Sequence, residues 1–166
     1  LSANATSFSS IKKKNFDAGA SIPARGFFLI GLDQYAGTTQ PDMIWQSGSL
    51  TNSGASIFLV HDTTALSTSG NSSTADLAAY GSGTGIFPKE GSAAPLPRIG
   101  ASLERRAQAD SACHVAVASY EFSGNGCDTQ NNINDFVERS APLPQSKSNL
   151  PAPRSTPAPV HNFTVA

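Results

Sequence analysis

The chain has few charged residues, two cysteines and no long apolar run, and each scarcity excludes a class of protein. Asp, Glu, Lys and Arg make up 14% of its 166 residues, against about 25% in an ordinary soluble domain. The net charge is −1, so nothing draws the whole molecule towards nucleic acid or an anionic membrane surface. No apolar stretch approaches the ~20 residues of a membrane-spanning helix, and no signal peptide is visible. We expect neither a nucleic-acid partner nor a membrane-spanning segment.

Hydroxyl side chains and glycine are abundant. The chain has 23 serines, 12 threonines and 14 glycines. This composition is typical of a β-protein whose exposed strand faces carry Ser and Thr. No window of about ten residues has a helical face, and strand-like segments alternate with glycine-rich turns. The sequence therefore predicts an all-β sandwich.

Six segments have the composition of strands. They are residues 8–14, 27–31, 54–60, 75–81, 102–106 and 135–139. The first is polar and lysine-rich, as an exposed edge strand would be. Runs such as 27–31 and 54–60 are apolar and short, as core strands are. The expected core comprises Phe28, Ile30, Ile57, Leu59, Leu103 and Phe136.

The composition changes at Ala141. Six prolines follow: Pro142, Pro144, Pro151, Pro153, Pro157 and Pro159. They remove backbone donors, so we expect a domain over residues 1–141 and an extended, poorly packed linker over 142–160. Residues 161–166 look like the opening strand of a following module. Since the chain also begins at Leu1 rather than Met, we expect a fragment of a longer protein.

Two cysteines, Cys113 and Cys127, lie 14 positions apart around a predicted hairpin over 110–126. Without histidines at ligand spacing they make a poor zinc site. A disulfide would constrain the unfolded chain by about 3 kcal/mol. Two buried thiols are the alternative, because one cysteine pair does not fix the redox compartment. Pairing is expected if the protein is exported.

An Asx-dense loop contains the candidate Ca²⁺ ligands, which are Asp128, Asn132 and Asp135. Calcium favours flexible carboxylate and amide loops. The spacing is not that of an EF-hand, since no bidentate Glu ends the loop. The alternative is a turn whose side chains satisfy their own backbone, and turn statistics favour it. No other cofactor is expected.

Charged side chains recur on two late strands. Glu104, Arg105 and Arg106 are expected beside Glu138 and Arg139 on a neighbouring strand. Opposite charges in that arrangement predict cross-strand pairs, each contributing ~0.2–1 kcal/mol. A clamp for phosphate or carboxylate is the less favoured alternative.

Catalytic and ligand-stacking residues are hard to find. His61 precedes Asp62, but no G-x-S-x-G nucleophile turn is present and no histidine spacing supports a triad. We assign no catalytic residue and expect no enzyme. Trp45, Phe87 and Tyr120 lie in or near predicted loops. They can contact a sugar or protein ligand, and they can equally cap the open ends of a sandwich.

Several short pieces of sequence occur in a characteristic order. They are IPARGFFLI at 22–30, GASIFLV at 54–60, EGSAA at 90–94, SLER at 102–105, DT at 128–129, NN at 131–132, DF at 135–136 and PLPQ at 142–145. With these pieces, residues 8–145 resemble the bacterial branch of the lamin tail domain family. The resemblance implies an immunoglobulin-like β-sandwich that binds and tethers. It also implies that the family's opening strands lie before Leu1, so this truncated copy exposes a sheet edge and part of its core.

Three functions follow as expectations. The first is a non-catalytic binding or tethering module of a larger bacterial surface or secreted protein. It would act outside the cell or at its surface, on a protein or a cell-surface polysaccharide. The second is an accessory domain of a secreted hydrolase or nuclease whose catalytic part lies elsewhere. The third, a nuclear-scaffold role, is disfavoured by the absent heptad rod and basic face.

Overall fold

Short strands that pair two by two form most of the regular structure. The computed structural model describes residues 7–64, 66, 73–83, 87–109, 112–114 and 125–150. Its strands are β1 Ile30–Leu32, β2 Met43–Trp45, β3 Gly54–Val60, β4 Thr74–Gly81, β5 Ser102–Arg105, β6 Ala107–Ala109, β7 Ala112–His114 and β8 Phe136–Arg139.

Helical structure is scarce. Among the described residues it is confined to a 3₁₀ turn, Phe8–Ser10, and one helix, α1, Asn132–Asp135. The all-β prediction is therefore confirmed. Neither of these helices has the length and apolar character that crossing a bilayer requires.

The longest pair is β3 with β4, which run antiparallel from Gly54 opposite Gly81 to Val60 opposite Thr74. The pair begins at two glycines because the strands approach closely there. Gly81 has φ +64°, and a Cβ on it would lie 2.3 Å from the Ser53 carbonyl oxygen. On its second edge β4 bonds to Ala94, whose N–H donates to Ala79 O at 2.8 Å.

The other pairs are shorter. β1 and β2 run parallel, β5 and β8 run antiparallel, and β6 and β7 form an antiparallel hairpin. Within the described part of the chain the four pairs remain separate two-stranded sheets. Arg105 of β5 reaches across to β4, where it donates to both carboxylate oxygens of Asp76 at 2.6 and 2.8 Å. This ion pair links two of the sheets.

The predicted core is only partly buried. Ile30 and Ile57 are each 38% exposed and Leu59 is 45% exposed, which corrects their expected core positions. Along β3 the alternation turns Ile57 and Leu59 to the less covered face, opposite Ser56 and Phe58. Phe28, Leu103 and Phe136 are half-buried. The apolar residues that are buried in the described part of the chain are smaller on average than the predicted core residues. They are Met43, Ala55, Leu77, Ala79, Ala94, Ala107 and Cys127.

Predicted strands match the observed ones unevenly. Residues 54–60 coincide with β3, whereas β1 starts only at Ile30 and β2 was not predicted. Residues 8–14 form no strand, because a local turn forms at their start. There Ser10 Oγ donates to the Ser7 carbonyl at 2.7 Å, and such side-chain bonds compete with strand pairing.

The segment after Ala141 is not uniformly extended. Thr39 Oγ1 donates to Pro144 O, and the Lys147 N–H donates to Asp42 Oδ2, both at 3.0 Å. Ser146 is buried. Poor packing is therefore wrong at Ser146, whereas its neighbours in 142–150 are exposed, as expected of a linker. The remaining linker, 151–160, and the expected module start, 161–166, lie outside the described residues, and the domain boundaries stay predictions.

A disulfide joins Cys113 of β7 to Cys127, with Cα atoms 5.4 Å apart. β7, which carries Cys113, lies within the segment predicted as a hairpin, 110–126, but its partner strand β6 precedes that segment. The middle of that segment, 115–124, lies outside the described residues. The bond fixes the hairpin to the loop that leads into α1.

The buried amide of Asn132 joins three parts of the chain. Its Oδ1 accepts from the N–H groups of Ala79 at 3.0 Å and Glu90 at 3.3 Å. Its Nδ2 donates to Leu77 O at 2.9 Å and to Glu90 Oε2 at 3.1 Å. These bonds use the whole donor and acceptor capacity of the side chain. They tie α1 to β4 and to the turn around residue 90.

Replacing Asn132 by Ala should destabilise the fold strongly. The change leaves the N–H groups of Ala79 and Glu90 and the Leu77 carbonyl without their partner, and each unsatisfied buried group costs about 1–3 kcal/mol. We expect the free energy of unfolding in urea to fall by at least about 3 kcal/mol. Asn134→Ala is the matched control in the same helix, because Asn134 is exposed. Equal effects of the two changes would contradict the assignment.

Reducing the disulfide should also lower stability. We expect the free energy of unfolding to fall by about 3 kcal/mol, since the reduced unfolded chain regains the entropy of an open loop. Urea unfolding with and without reductant measures the difference, and the intact mass reports the two hydrogen atoms that reduction adds. The Cys113→Ser/Cys127→Ser double variant should match the reduced protein. Two alkylatable thiols in freshly purified, unreduced protein would contradict the pairing.

Candidate functional site: an apolar groove and an acidic loop

An apolar groove of about 970 Å³ opens between the β3–β4 pair and the β5–β8 pair. Both pairs and the connections at 50–52 and 96–101 contribute to its walls. Arg98 is the one charged side chain among the described residues that line it. The larger apolar lining residues are Leu50, Ile57, Leu96, Ile99, Leu103 and Phe136.

The connection from Ala94 to β5 gives the groove one of its walls. Pro95 and Pro97 have no N–H, so the chain cannot continue pairing with β4 after Ala94. It turns instead, with the Ala101 N–H donating to Arg98 O at 2.9 Å. Gly100 has φ +82°, a conformation that favours glycine. The turn leaves Leu96 exposed and Ile99 fully exposed.

One ion pair fixes that wall to β8. The Arg98 backbone N–H donates to Glu138 Oε2 at 2.8 Å, and its Nε donates to Oε1 at 2.7 Å. These bonds hold the pKa of Glu138 below its usual value, and the bond from the Arg98 backbone has the largest effect. Arg139 pairs instead with Glu104 at 3.2 Å, on the neighbouring strand. Of the charges expected to pair across β5 and β8, Glu104 and Arg139 do so.

Tyr80 closes another side of the groove. Its hydroxyl donates to Thr51 O at 3.0 Å, which fixes the 50–52 connection to β4. Burial raises the pKa of the Tyr80 phenol. The phenol therefore stays a neutral hydrogen-bond donor at neutral pH.

The second feature is an acidic cluster formed by Glu90, Asp128 and Asp135. One carboxylate oxygen of each lies within 4.8 Å of the others. Asp135 is fully buried, Glu90 is half-buried and Asp128 is exposed. Burial raises the pKa of Glu90, and the charges of Asp128 and Asp76 raise it further. The cluster is a region of concentrated negative charge.

The structure regroups the predicted Ca²⁺ ligands. Asp128 and Asp135 come together, but Asn132 Oδ1 already accepts two backbone hydrogen bonds and is unavailable to an ion. Glu90 completes the cluster in place of Asn132, and the sequence did not indicate it as a ligand. Glu90 is distant in sequence, and hydrogen bonds to Asn131, Asn132 and Ile133 bring the two segments together.

The turn that carries Glu90 is shaped to meet α1. Asn131 Oδ1 accepts from the Ser92 N–H at 2.8 Å. Gly91 has φ +52°, and a Cβ there would lie 2.7 Å from Asn131 Cγ. Only glycine allows this close approach without strain. The contact places Glu90 over the loop 128–131.

Of the three predicted ligand-contact aromatics, the two that the structure describes do not line the groove. Trp45 lies in β2 and its Nε1 donates to Ser47 Oγ at 3.2 Å. Phe87 is half-buried, with the Lys89 ammonium 5.8 Å from its ring centre. Neither lines the groove among the described residues. Tyr120 lies outside the described residues.

Comparison with known proteins identified no relative of this chain. No protein-family description, curated protein or solved structure matches the chain.

The Glu138 pair should make stability depend on pH. Because the folded-state pKa of Glu138 is depressed, the pair stabilises the fold above the unfolded pKa of about 4.3. That contribution is lost as the pH falls through the folded value. Glu138→Gln should therefore be less stable than wild type near neutral pH, and the difference should shrink in acid. Urea unfolding of both proteins across pH measures it, with Asp17→Asn at an exposed site as the control. A pH-independent difference would contradict the pairing.

Proposed function

We propose that this chain is a non-catalytic binding module of the immunoglobulin-like, lamin-tail type, within a larger bacterial surface or secreted protein. The strand-rich fold and the ordered sequence pieces at 22–30, 54–60, 90–94, 102–105 and 128–136 support the family assignment. The Cys113–Cys127 disulfide supports an oxidising, extracellular setting. The groove supports a role in binding.

The exposed apolar groove carries the proposal. Soluble domains rarely leave several large apolar side chains together in contact with water, and such clusters mark interaction sites. Leu50, Ile57, Leu96 and Ile99 are all exposed and all line this groove. Covering them with a partner removes apolar surface from water, which stabilises a complex by roughly 25 cal/mol per Å².

The groove chemistry favours a protein segment over a polysaccharide. Sugars are bound by open aromatic faces and by polar side chains. The two aromatic residues among the described lining of the groove, Tyr80 and Phe136, already make other contacts. The Arg105 guanidinium covers Phe136 at 4.7 Å from its ring centre, and the Tyr80 hydroxyl is bonded to Thr51. An extended peptide with apolar residues at every second position suits the aliphatic walls.

The absence of catalysis is part of the proposal. His61 is exposed, and its backbone N–H donates to Ser73 O at 2.8 Å. None of the hydrogen bonds among the described residues joins its ring to a serine or a carboxylate. A base without an orienting partner and a nucleophile lacks the arrangement that acyl transfer requires. In the alternative role, as an accessory domain, the same module would bind a neighbouring catalytic domain through its groove.

An aspartate in the groove wall should weaken peptide binding. The probe is a fluorescent, soluble peptide in which Val and Thr alternate. We expect Ile99→Asp to weaken its binding at least tenfold, because complex formation would desolvate the new charge. Ile99 is fully exposed, so the variant should fold normally. Fluorescence anisotropy measures the affinity.

Leu143→Asp is the matched control. Leu143 is 83% exposed and lies outside the groove, so this variant should bind like wild type. A peptide that alternates Ser and Thr should not bind. If wild type binds neither peptide, or binds a cell-wall oligosaccharide with an affinity that Ile99→Asp leaves unchanged, the protein-binding groove is wrong.

A further inference from the structure

The acidic cluster has the dimensions of a cation site. Oxygens bound to one Ca²⁺ at 2.3–2.6 Å are at most about 5.2 Å apart. One oxygen from each of Glu90, Asp128 and Asp135 lies within 4.8 Å of the others. The three residues come from two segments that the Asn132 amide holds together. The backbones that carry the three carboxylates are therefore brought together by contacts other than those among the carboxylates themselves.

Each carboxylate has one oxygen already held in place. Glu90 Oε2 accepts from Asn132 Nδ2 at 3.1 Å. Asp128 Oδ1 accepts from the Gln130 N–H at 3.1 Å. Asp135 Oδ1 accepts from the Thr129 N–H at 2.8 Å and from its hydroxyl at 2.7 Å. These bonds orient the groups, and the second oxygen of each accepts no hydrogen bond from the described residues.

The second oxygen of Asp135 is the independent sign of a ligand. Asp135 is fully buried, and its Oδ2 has no hydrogen-bond partner among the described residues. A buried carboxylate oxygen without a partner is costly, because burial removes its water and nothing replaces it. Arg105, a nearby cation, is already bonded to both oxygens of Asp76. Among the described residues, none of the hydrogen bonds of Arg105 reaches Asp135.

We propose that Glu90, Asp128 and Asp135 bind one Ca²⁺ through their carboxylate oxygens. A ligand set made only of oxygens selects a hard cation, and the neighbouring cysteines offer no thiolate because they form a disulfide. Irregular carboxylate loops suit Ca²⁺ better than Mg²⁺, which demands a near-ideal octahedron. The exposed Asp128 side leaves room for water to complete the coordination.

Calcium would fasten the loop 128–131 to the turn around residue 90. With three carboxylates and a site open on one side, we expect a Kd of about 10⁻⁴–10⁻³ M, the range of extracellular calcium modules. The calcium proposal is argued from different observations than the groove proposal, so failure of either leaves the other standing.

Thermal unfolding of the chelator-treated chain, with its disulfide intact, tests the site. Adding CaCl₂ to about 10 mM should raise Tm by roughly 5 °C, since a ligand at about 10–100 times its Kd stabilises the folded state substantially. Asp128→Asn should shift the calcium midpoint at least about tenfold upward, because affinity follows the number of ligand charges. Asp128 is exposed and Asn keeps an oxygen for Gln130, so the variant should fold.

Two further samples make the result decisive. Glu90→Gln keeps the acceptor for Asn132 and should also weaken the response, whereas Asp17→Asn removes an exposed charge outside the cluster and should not. MgCl₂ at the same concentration should raise Tm less than CaCl₂ does. Absence of a calcium response, an equal response to Mg²⁺, or an unchanged midpoint in Asp128→Asn would each overturn the proposal.

Discussion

The hydrogen bonds of the Asn132 amide are the constraint on which the other features depend. The side chain is completely buried and uses both oxygen lone pairs and both N–H groups. Its partners lie in β4 and in the turn around residue 90, so it fixes where the loop 128–131 meets the rest of the chain. Burial strengthens such bonds because no water competes for them, and it makes each of them costly to lose.

Polar links matter here because the apolar core is thin. Among the described residues, four of the seven buried apolar side chains are alanines, which bury little surface and gain little from the hydrophobic effect. Arg105 supplies a second link, since it bonds Asp76 in β4 and also donates to Cys127 O at 2.7 Å. The disulfide then carries that link on to β7. The described sheets are held by directional bonds as well as by packing.

Local sequence predicted some of this architecture and could not predict the rest. The run at 54–60 became β3 because an apolar, β-branched segment between turns has few alternatives to a strand. The exposure of Ile57 and Leu59 depends on what covers each face of β3, which no local pattern specifies. Asn132 looked like a turn residue for the same reason, since its partners at 77, 79 and 90 are distant in sequence. Glu90 could be recognised only once those contacts were known.

The groove and the acidic cluster meet in one segment of the chain. Asp135 belongs to the cluster, and the next residue, Phe136, lines the groove. Ala79 lines the groove as well, and its N–H bonds the Asn132 amide. A cation that orders α1 therefore also orders the start of β8 and with it one groove wall. Linkage then requires reciprocity: whatever a bound cation adds to the affinity for a groove ligand, that ligand adds to the affinity for the cation. The size of the effect depends on how far segment 132–136 differs between the cation-bound and cation-free protein. A ligand shifts the equilibrium between these two states only by the difference in its affinity for them.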